Sequence, residues 1–372
     1  MQILFVSSIR WDFSWHRQQE MMLKMAENGA QVLFVQPCNK RHPFRSELER
    51  LPNGIWLLTP KGLPYERCLY SVNAINAVIS RNEIQKAMRK IEFSEPIVWM
   101  DRVHGFDFHY FRRYYVIYDL IDEILAFGRI KNEKMLLHLE NEVLQQADLL
   151  LSSSRTLLSR KTKQSRRCGE AILIPNGVDV SRFPLNKKES EQRVIGFVGD
   201  ISKRRLNFAL IRTVAMSRPE WKFVFIGPGL KTDKEELKQG LENIECKAPV
   251  SGTEIPEVVA GFDVGIIPYN HAGSDMDYVF PRKACEYLAA GKPVVSTDMP
   301  EIRYLQPMIR IAETPEEFCK AIDESLQEDN VQERRRFAGQ YDWNLLMMDL
   351  IDKLKDRQGK NQAWKKRKEE TV

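Results

Sequence analysis

Short apolar runs separated by helical patterns recur along the whole chain, and that alternation predicts a parallel α/β architecture. In the first half the runs that read as strands are Ile3–Val6, Val32–Val35, Ile55–Leu58, Ile97–Met100, Val116–Tyr118, Leu149–Leu151 and Ile172–Ile174. In the second half they are Val194–Val198, Phe223–Ile226, Val264–Ile267, Val294–Ser296 and Met308–Ile311. A helix over Trp15–Asn28 fits between the first two runs, and Gly29 suits its end. Late helices are expected over 316–328 and 343–356, the second carrying Trp343, Leu345, Leu346, Leu350, Ile351 and Leu354 at helical spacing. The pattern breaks near 176–192, where Pro175-Asn176-Gly177 interrupts it and the polar Asn186–Gln192 suits a linker. The expected division is 1–180, 190–340, and a terminal helix with a basic tail over 341–372 that packs back on the first domain. Ligands of doubly wound sheets sit beyond the carboxyl ends of the strands, so two such domains facing each other make a cleft. The residues to inspect are therefore those just after strands.

Composition narrows the classes. A chain of 372 residues is too long for one comfortable core and suits two domains. No run approaches the ~18 apolar residues that span a bilayer. Met1–Ser8 lacks the basic start and small-residue cleavage site of a signal peptide and reads as a first strand. Six cysteines (38, 68, 168, 246, 285, 319) form no C-x-x-C pair, which points away from a disulfide framework or a zinc site and towards a reducing cytoplasm. The net charge of +5 is skewed: residues 1–185 hold 26 Lys and Arg against 20 Asp and Glu, and the remainder 30 against 31. A basic half suits nucleic acid, an anionic membrane or an acidic substrate, and charge alone does not choose. Nothing beyond that surplus supports nucleic acid.

Chemistry concentrates in Phe280-Pro281-Arg282-Lys283-Ala284-Cys285-Glu286-Tyr287, followed by Leu-Ala-Ala-Gly291-Lys-Pro-Val-Val. Proline is pre-organised for a helix start, and the free amides and dipole of that end make a seat for phosphate. Lys283 adds a charge in the first turn. Glu286 lies one turn on, where a carboxylate accepts two ribose hydroxyls. On spacing alone the segment reads equally as an amphipathic helix with solvated Lys and Glu.

The segment resembles the donor-site helix of GT-B glycosyltransferases, P-x-K-x-x-E-Y-x-A-x-G-x-P-V. Other stretches resemble the same family in order: Ala147-Asp148-Leu-Leu-Leu-Ser-Ser-Ser154, Ile174-Pro-Asn-Gly-Val-Asp-Val-Ser-Arg-Phe183, Phe197-Val-Gly199-Asp, Phe225-Ile-Gly227-Pro-Gly and Phe262-Asp-Val-Gly-Ile-Ile-Pro-Tyr269. The resemblance implies an α/β, GT-B fold of two Rossmann-like, doubly wound parallel-sheet domains facing across a cleft. It implies transfer of a sugar from a nucleoside-diphosphate sugar, with UDP the expected carrier, to a glycan or lipid-linked acceptor in surface polysaccharide biosynthesis. No cofactor or metal is expected, because fixed cations and helix amides take the diphosphate charge. Carried over, Lys283 and the amides near Pro281 and Arg282 hold the diphosphate at the Gly199 turn and Glu286 holds the ribose. A basic residue after the first donor-domain strand assists; Lys203, Arg204 and Arg205 compete, with Arg204 preferred. Pro249, in Ala248-Pro249-Val250, makes the nucleobase wall.

Two departures matter. Many retaining members place a second glutamate eight residues before the ribose-binding one, and here that position is Tyr278, with Asp275 and Asp277 nearby. The stereochemical outcome is left open. The start Trp11-Asp12-Phe13-Ser14-Trp15-His16-Arg17-Gln18-Gln19 resembles the W-D-x-x-W-x-R-P-Q of teichuronic-acid and exopolysaccharide transferases, with Gln18 where proline is usual.

For the acceptor, Asp119 and Asp122 come after an apolar strand, and an inverting transferase needs a base for the acceptor hydroxyl. Asp122 reaches further and is preferred; both aspartates also suit loop or helix capping. Trp11, Asp12 and Arg17 come after the first strand, and Asp101, His104 and His109 after another, so these line the expected acceptor pocket, with His104 the chosen histidine. The segment 155–167 has basic residues at 155, 160, 161, 163, 166 and 167 and no acid, suiting either a solvated helix face or an anionic leaflet at the inner face of the membrane. The competing readings are a GT-B sugar-nucleotide epimerase, which needs no acceptor, and a degenerate, non-catalytic subunit.

Overall fold

A computed structural model describes residues 1–12, 15–64, 66–125, 132–165, 170–185, 192–270 and 275–370. The chain divides into two compact units, one made of Met1–Ile174 with Asn344–Val372, the other of Pro175–Trp343. The polar stretch 186–191, Arg166 and Arg167 lie outside the described residues.

The first unit holds an eight-stranded sheet: β1 (Gln2–Val6), β2 (Gln31–Val35), β3 (Glu47–Arg50), β4 (Trp56–Thr59), β5 (Ile97–Met100), β6 (Val116–Leu120), β7 (Leu149–Ser152) and β8 (Glu170–Leu173). Their order is β3-β4-β2-β1-β5-β6-β7-β8. All pairs are parallel except β3 with β4. The second unit holds β9 (Val194–Val198), β10 (Lys222–Ile226), β11 (Ile244–Lys247), β12 (Val264–Ile267), β13 (Val294–Ser296) and β14 (Ile309–Ile311), in the all-parallel order β11-β10-β9-β12-β13-β14. Parallel strands covered on both faces must be apolar throughout, and Ile3–Val6 in β1 is buried residue by residue. Edge strands carry no such demand. The two that periodicity missed, Glu-Leu-Glu-Arg in β3 and Ile-Glu-Cys-Lys in β11, both lie at sheet edges, where charge also discourages further pairing.

Strand order locates the ligand-binding ends. Connections diverge from β1 towards β2 on one side and β5 on the other, and from β9 towards β10 and β12. The carboxyl ends at these two switch points are where such sheets bind ligands.

Two helices of the first unit depart from the simple apolar-in, polar-out layering. Helix Tyr70–Lys90 is turned inside out over its first four turns: Asn73, Asn76, Ser80 and Glu83 are buried, whereas Tyr70, Ile75 and Val78 are exposed. Its buried amides are satisfied, Asn76 exchanging two bonds with the Leu63 backbone (2.7 and 2.8 Å) and Asn73 accepting from the Gly105 amide (2.7 Å). The terminal helix Trp343–Glu370 is separated in sequence from the unit it completes, and it buries Met347, Leu350, Ile351 and Leu354. Its Lys353 pairs with Glu170 and its Arg357 lies 3.6 Å from the Tyr115 ring centre, both in the first unit.

Candidate active site

In the second unit the turns after β9, β10 and β12 meet the start of helix Arg282–Ala289. The first two turns pack backbone on backbone. Gly199 and Gly227 adopt φ of +150° and +152°. A Cβ on Gly227 would lie 2.0 Å from the Gly199 carbonyl oxygen, and one on Gly229 2.3 Å from that of Ile201. Only glycine fits such an approach. The amides of Gly199 and Ile201 donate to Ile226 (2.9 Å) and Pro228 (2.7 Å), fixing the two turns together.

Lys283 lies over this platform. Its ammonium donates to the Tyr269 hydroxyl and sits 4.7 Å from the Tyr269 ring centre and 5.1 Å from that of Phe197. A Cβ on Gly199 would stand 3.1 Å from Lys283 Cε and 3.3 Å from Nζ, so the cation rests directly against the turn after β9. Tyr287 clamps the helix to that strand by accepting from the Val198 amide (2.8 Å), and Gly265 makes room for its ring, since a Cβ there would approach it to 2.3 Å. Asn176 holds the entry by donating to the Phe280 carbonyl (2.8 Å). Pro281 stands at the N-cap, one position before the expected first helical residue, and no side chain caps this end. The positive end of the helix and the Lys283 ammonium thus converge beside Gly199, an arrangement that suits a dianionic phosphate.

Glu286 is buried one turn along, and the Arg282 guanidinium turns back to it (Nε–Oε1 2.7 Å). Of the three basic residues after β9, Lys203 pairs with Glu236 (2.5 Å) and Arg205 with Asp200 (3.4 Å), while Arg204 is exposed. Asn270 pins that loop by donating to the carbonyls of Lys203 (2.8 Å) and Arg204 (3.0 Å). Pro249 is exposed beyond β11, and Tyr278 is half-buried on a 3-10 turn, Asp275–Tyr278. Tyr269 and Asn270, missed in the sequence, come after β12 in the stretch already resembling the family, so position after a strand was the available signal.

The first unit corrects several expectations. Arg17 and Asp119, separate acceptor and base candidates, form one buried ion pair at 3.0 Å, with a second contact at 3.4 Å. Arg17 also donates to the Ile174 carbonyl (2.8 Å), and the Trp99 indole to Asp119 (3.4 Å). Asp119 lies inside β6 rather than beyond it, and both side chains are enclosed and engaged with each other. His104 is also buried: burial, with Arg102 and Arg67, holds its pKa well below the ordinary range, and its 3.5 Å contact with Glu66 joins a neutral imidazole to a carboxylate. Asp122 is half-buried past the end of β6, and exposed Asp12 pairs with Arg10 (3.1 Å). Trp11 packs edge-on against Phe34 (5.0 Å) and Trp15 (5.9 Å) beyond β1.

Asp101 comes forward instead. It stands just after β5 at the switch point and accepts from the Ser8 amide (2.5 Å), the Ser8 hydroxyl (3.0 Å) and Gln18 (2.8 Å). Burial pushes its pKa up to about 6, the bonds from Gln18 and Ser8 pull it down, and the Asp119 charge adds to the rise. Such a carboxylate is poised for proton exchange near neutrality. The basic segment is also revised. Lys161 of helix Arg155–Gln164 points inward, bonding Glu123 (2.7 Å) and Glu140 (2.6 Å), and burial still leaves the Glu140 pKa raised. Lys161 therefore does not serve a surface, while Arg160 and Lys163 of the same helix remain exposed.

Residues 192–328 match the family model described as glycosyl transferases group 1. Over 237 residues the chain is 30% identical to a protein of Bacillus subtilis (strain 168) described as the putative teichuronic acid biosynthesis glycosyltransferase TuaH, a match that spans 59% of each protein. Sucrose-phosphate synthase from Thermosynechococcus elongatus superposes with a TM-score of 0.74 at 12% identity, over 96% of this chain and 99% of that one. HepE from Anabaena, solved with UDP and glucose, gives 0.69 at 15% identity, over 96% and 100%. The chain thus has the GT-B fold, and residues 192–328 of its second unit are similar to the group 1 glycosyl transferases.

Proposed function

We propose that the protein is a glycosyltransferase that moves a hexose from a nucleoside-diphosphate sugar, UDP being the carrier, to a glycan or lipid-linked acceptor in surface polysaccharide biosynthesis. Lys283 carries this reading: its ammonium, the open helix start and the Gly199 turn converge at the switch point of the second unit. Sugar transfer develops oxocarbenium character on the sugar and negative charge on the departing diphosphate. Fixed positive charge aimed at that growth lowers the barrier, with no metal required. On this reading Glu286 exchanges its bond with Arg282 for ribose hydroxyls. Asp101 takes the proton of the acceptor hydroxyl if transfer inverts the anomeric centre. The complex of HepE with UDP and the description of TuaH support donor and pathway.

Titration of nucleoside diphosphates and their sugars against the protein tests the donor side. UDP and one UDP-sugar should raise the melting temperature, and Lys283→Ala should remove that shift with the fold retained. An unchanged shift in Lys283→Ala would overturn the assignment.

Contact with an anionic membrane belongs to the same proposal, placed on a different surface from 155–167. Phe44 (74% exposed), in the loop after β2, and Leu69, Tyr70 (60%), Ile75 and Val78, at the start of helix Tyr70–Lys90, are exposed large apolar groups of the first unit. Exposed Lys40, Arg41, Arg45, Lys61 and Arg67 lie in the adjoining loops. An apolar face rimmed by cations fits an anionic lipid surface. Among the described residues no helix is long and apolar enough to cross a membrane. Flotation with anionic but not zwitterionic vesicles, lost in Tyr70→Ser/Ile75→Ser, is the expected result; flotation unaffected by the substitutions would reject this face.

A further inference from the structure

Arg102 has a place at the site but no partner in it. It comes directly after Asp101 beyond β5, is 4% exposed, and its Nε is sealed from solvent without a hydrogen-bond partner. Among the described residues no carboxylate pairs with it. A guanidinium in that position is costly unless a counter-charge completes it. Arg10 repeats the pattern more mildly: Nε and Nη2 reach Asp12, while Nη1 is buried without a partner.

These cations share one locality. Cys38, shortly after β2, has its thiol pushed up by burial and by Glu66, and drawn down by Arg102, Lys40 and Arg10 together. All three charges therefore lie within electrostatic reach of a single half-buried thiol. Arg102, with Arg67, also acts on His104, whose pKa burial and these two cations hold down, so the imidazole adds no further positive charge there. Glu66 is one acid of the group, and its Oε2 accepts from Asn76 (2.9 Å) while Oε1 faces His104 at 3.5 Å. Arg10, Lys40, Arg67 and Arg102 stand against Glu66, Asp12 and Asp101, and Arg102 is the buried cation of the group that no carboxylate among the described residues meets.

We propose that Arg102, with Arg10 and Lys40, binds a phosphate group carried by the acceptor. The proposal rests on the transferase reading for the word acceptor, and on the first unit alone for the site. A planar guanidinium meets two phosphate oxygens in a fork, and a lysine adds a mobile charge, a combination suited to phosphomonoesters and diphosphates. Placement at the carboxyl ends of β1, β2 and β5, next in sequence to Asp101, holds such a group close to the carboxylate proposed to take the acceptor proton. Two sources share this chemistry, a soluble sugar phosphate and a phosphate at the head of a lipid carrier.

The test uses the full chain with UDP saturating, so that the Lys283 site is filled. Inorganic pyrophosphate is titrated by calorimetry, then hexose 1-phosphate in solution and vesicles of zwitterionic lipid containing a polyprenyl phosphate. Pyrophosphate should bind, Arg102→Gln should weaken it at least 10-fold, and Arg102→Lys should recover part of the loss. Alkylation of Cys38, monitored by mass spectrometry, should change rate on adding pyrophosphate in the wild type and not in Arg102→Gln. If Arg102→Gln fails to fold, Arg10→Gln and Lys40→Gln each report through at least a 3-fold loss. Binding of hexose phosphate or of the lipid vesicles then identifies the source. Absence of pyrophosphate binding to the wild type, or equal binding to all variants, overturns the site. Loss of UDP binding with pyrophosphate binding intact would instead remove the donor assignment and leave this site standing.

Discussion

Removing the Asp119 carboxylate should unfold the first unit early rather than merely stop transfer. Arg17 and Asp119 are almost wholly enclosed, at 2% and 0% side-chain exposure, and hold each other at 3.0 Å. Asp119→Ala strips the guanidinium of two carboxylate contacts in a place water does not reach. Breaking one partner of such a pair costs about 3–5 kcal/mol. For a unit of this size each kcal/mol moves the midpoint by roughly 2–4 °C, so a fall of roughly 6–20 °C is expected. Differential scanning calorimetry of the full chain measures it, with UDP added to mark the second unit's transition by raising it. The double variant Arg17→Met/Asp119→Leu removes both charges and should lose much less than the two single losses combined. Asp119→Asn melting at the wild-type temperature yet inactive would refute this reasoning and return Asp119 to chemistry.

Three further outcomes are expected from the same contacts. Gly227→Ala drives a Cβ into backbone at 2.0 Å and should prevent a folded second unit, whereas Gly199→Ala meets only Lys283 and Phe197 side-chain atoms at 3.1 Å but strains the backbone at φ +150°, and should fold with a lowered midpoint and weakened UDP binding, as circular dichroism and calorimetry will read. Asp101 keeps its proton in the fold up to about pH 6 but loses it near 3.8 when unfolded, so its contribution to stability falls as pH rises from about 4 to about 6 and is flat above. Asp101→Asn should erase that slope in pH-dependent melting, and should also remove a limb near pH 6 across which wild-type transfer rises. Lys161→Met leaves Glu140 buried without its cation and Glu123 with Arg160 at 3.4 Å, so urea midpoints should drop while vesicle flotation stays unchanged.

The strands at the centre of each sheet were legible because burial on both faces leaves an unbroken apolar run, as in Ile3–Val6 and Phe223–Ile226. The edges β3 and β11 were not, since one exposed face admits charges that hide the pattern. The start of helix Arg282–Ala289 was legible as a local motif, with Pro281, Lys283 and Glu286 inside six residues. Arg17 with Asp119 was not, because 102 residues separate partners that only the fold brings together. Helical spacing marked 155–163 as basic but does not say which lysine turns inward; that depends on Glu123 and Glu140, which arrive from other segments. Asp101 looked like any aspartate after a strand, and its displaced titration comes from enclosure, which sequence does not state.

The first unit is interrupted: its chain leaves at Ile174 and comes back at Asn344, and Met347, Leu350, Ile351 and Leu354 are part of its interior. The second unit is one uninterrupted stretch between those points. A polypeptide emerging from the ribosome N-terminus first therefore completes its later-made unit before its earlier one, with helix 343–370 as the final piece. Until that piece arrives, the apolar positions it covers stand open to solvent.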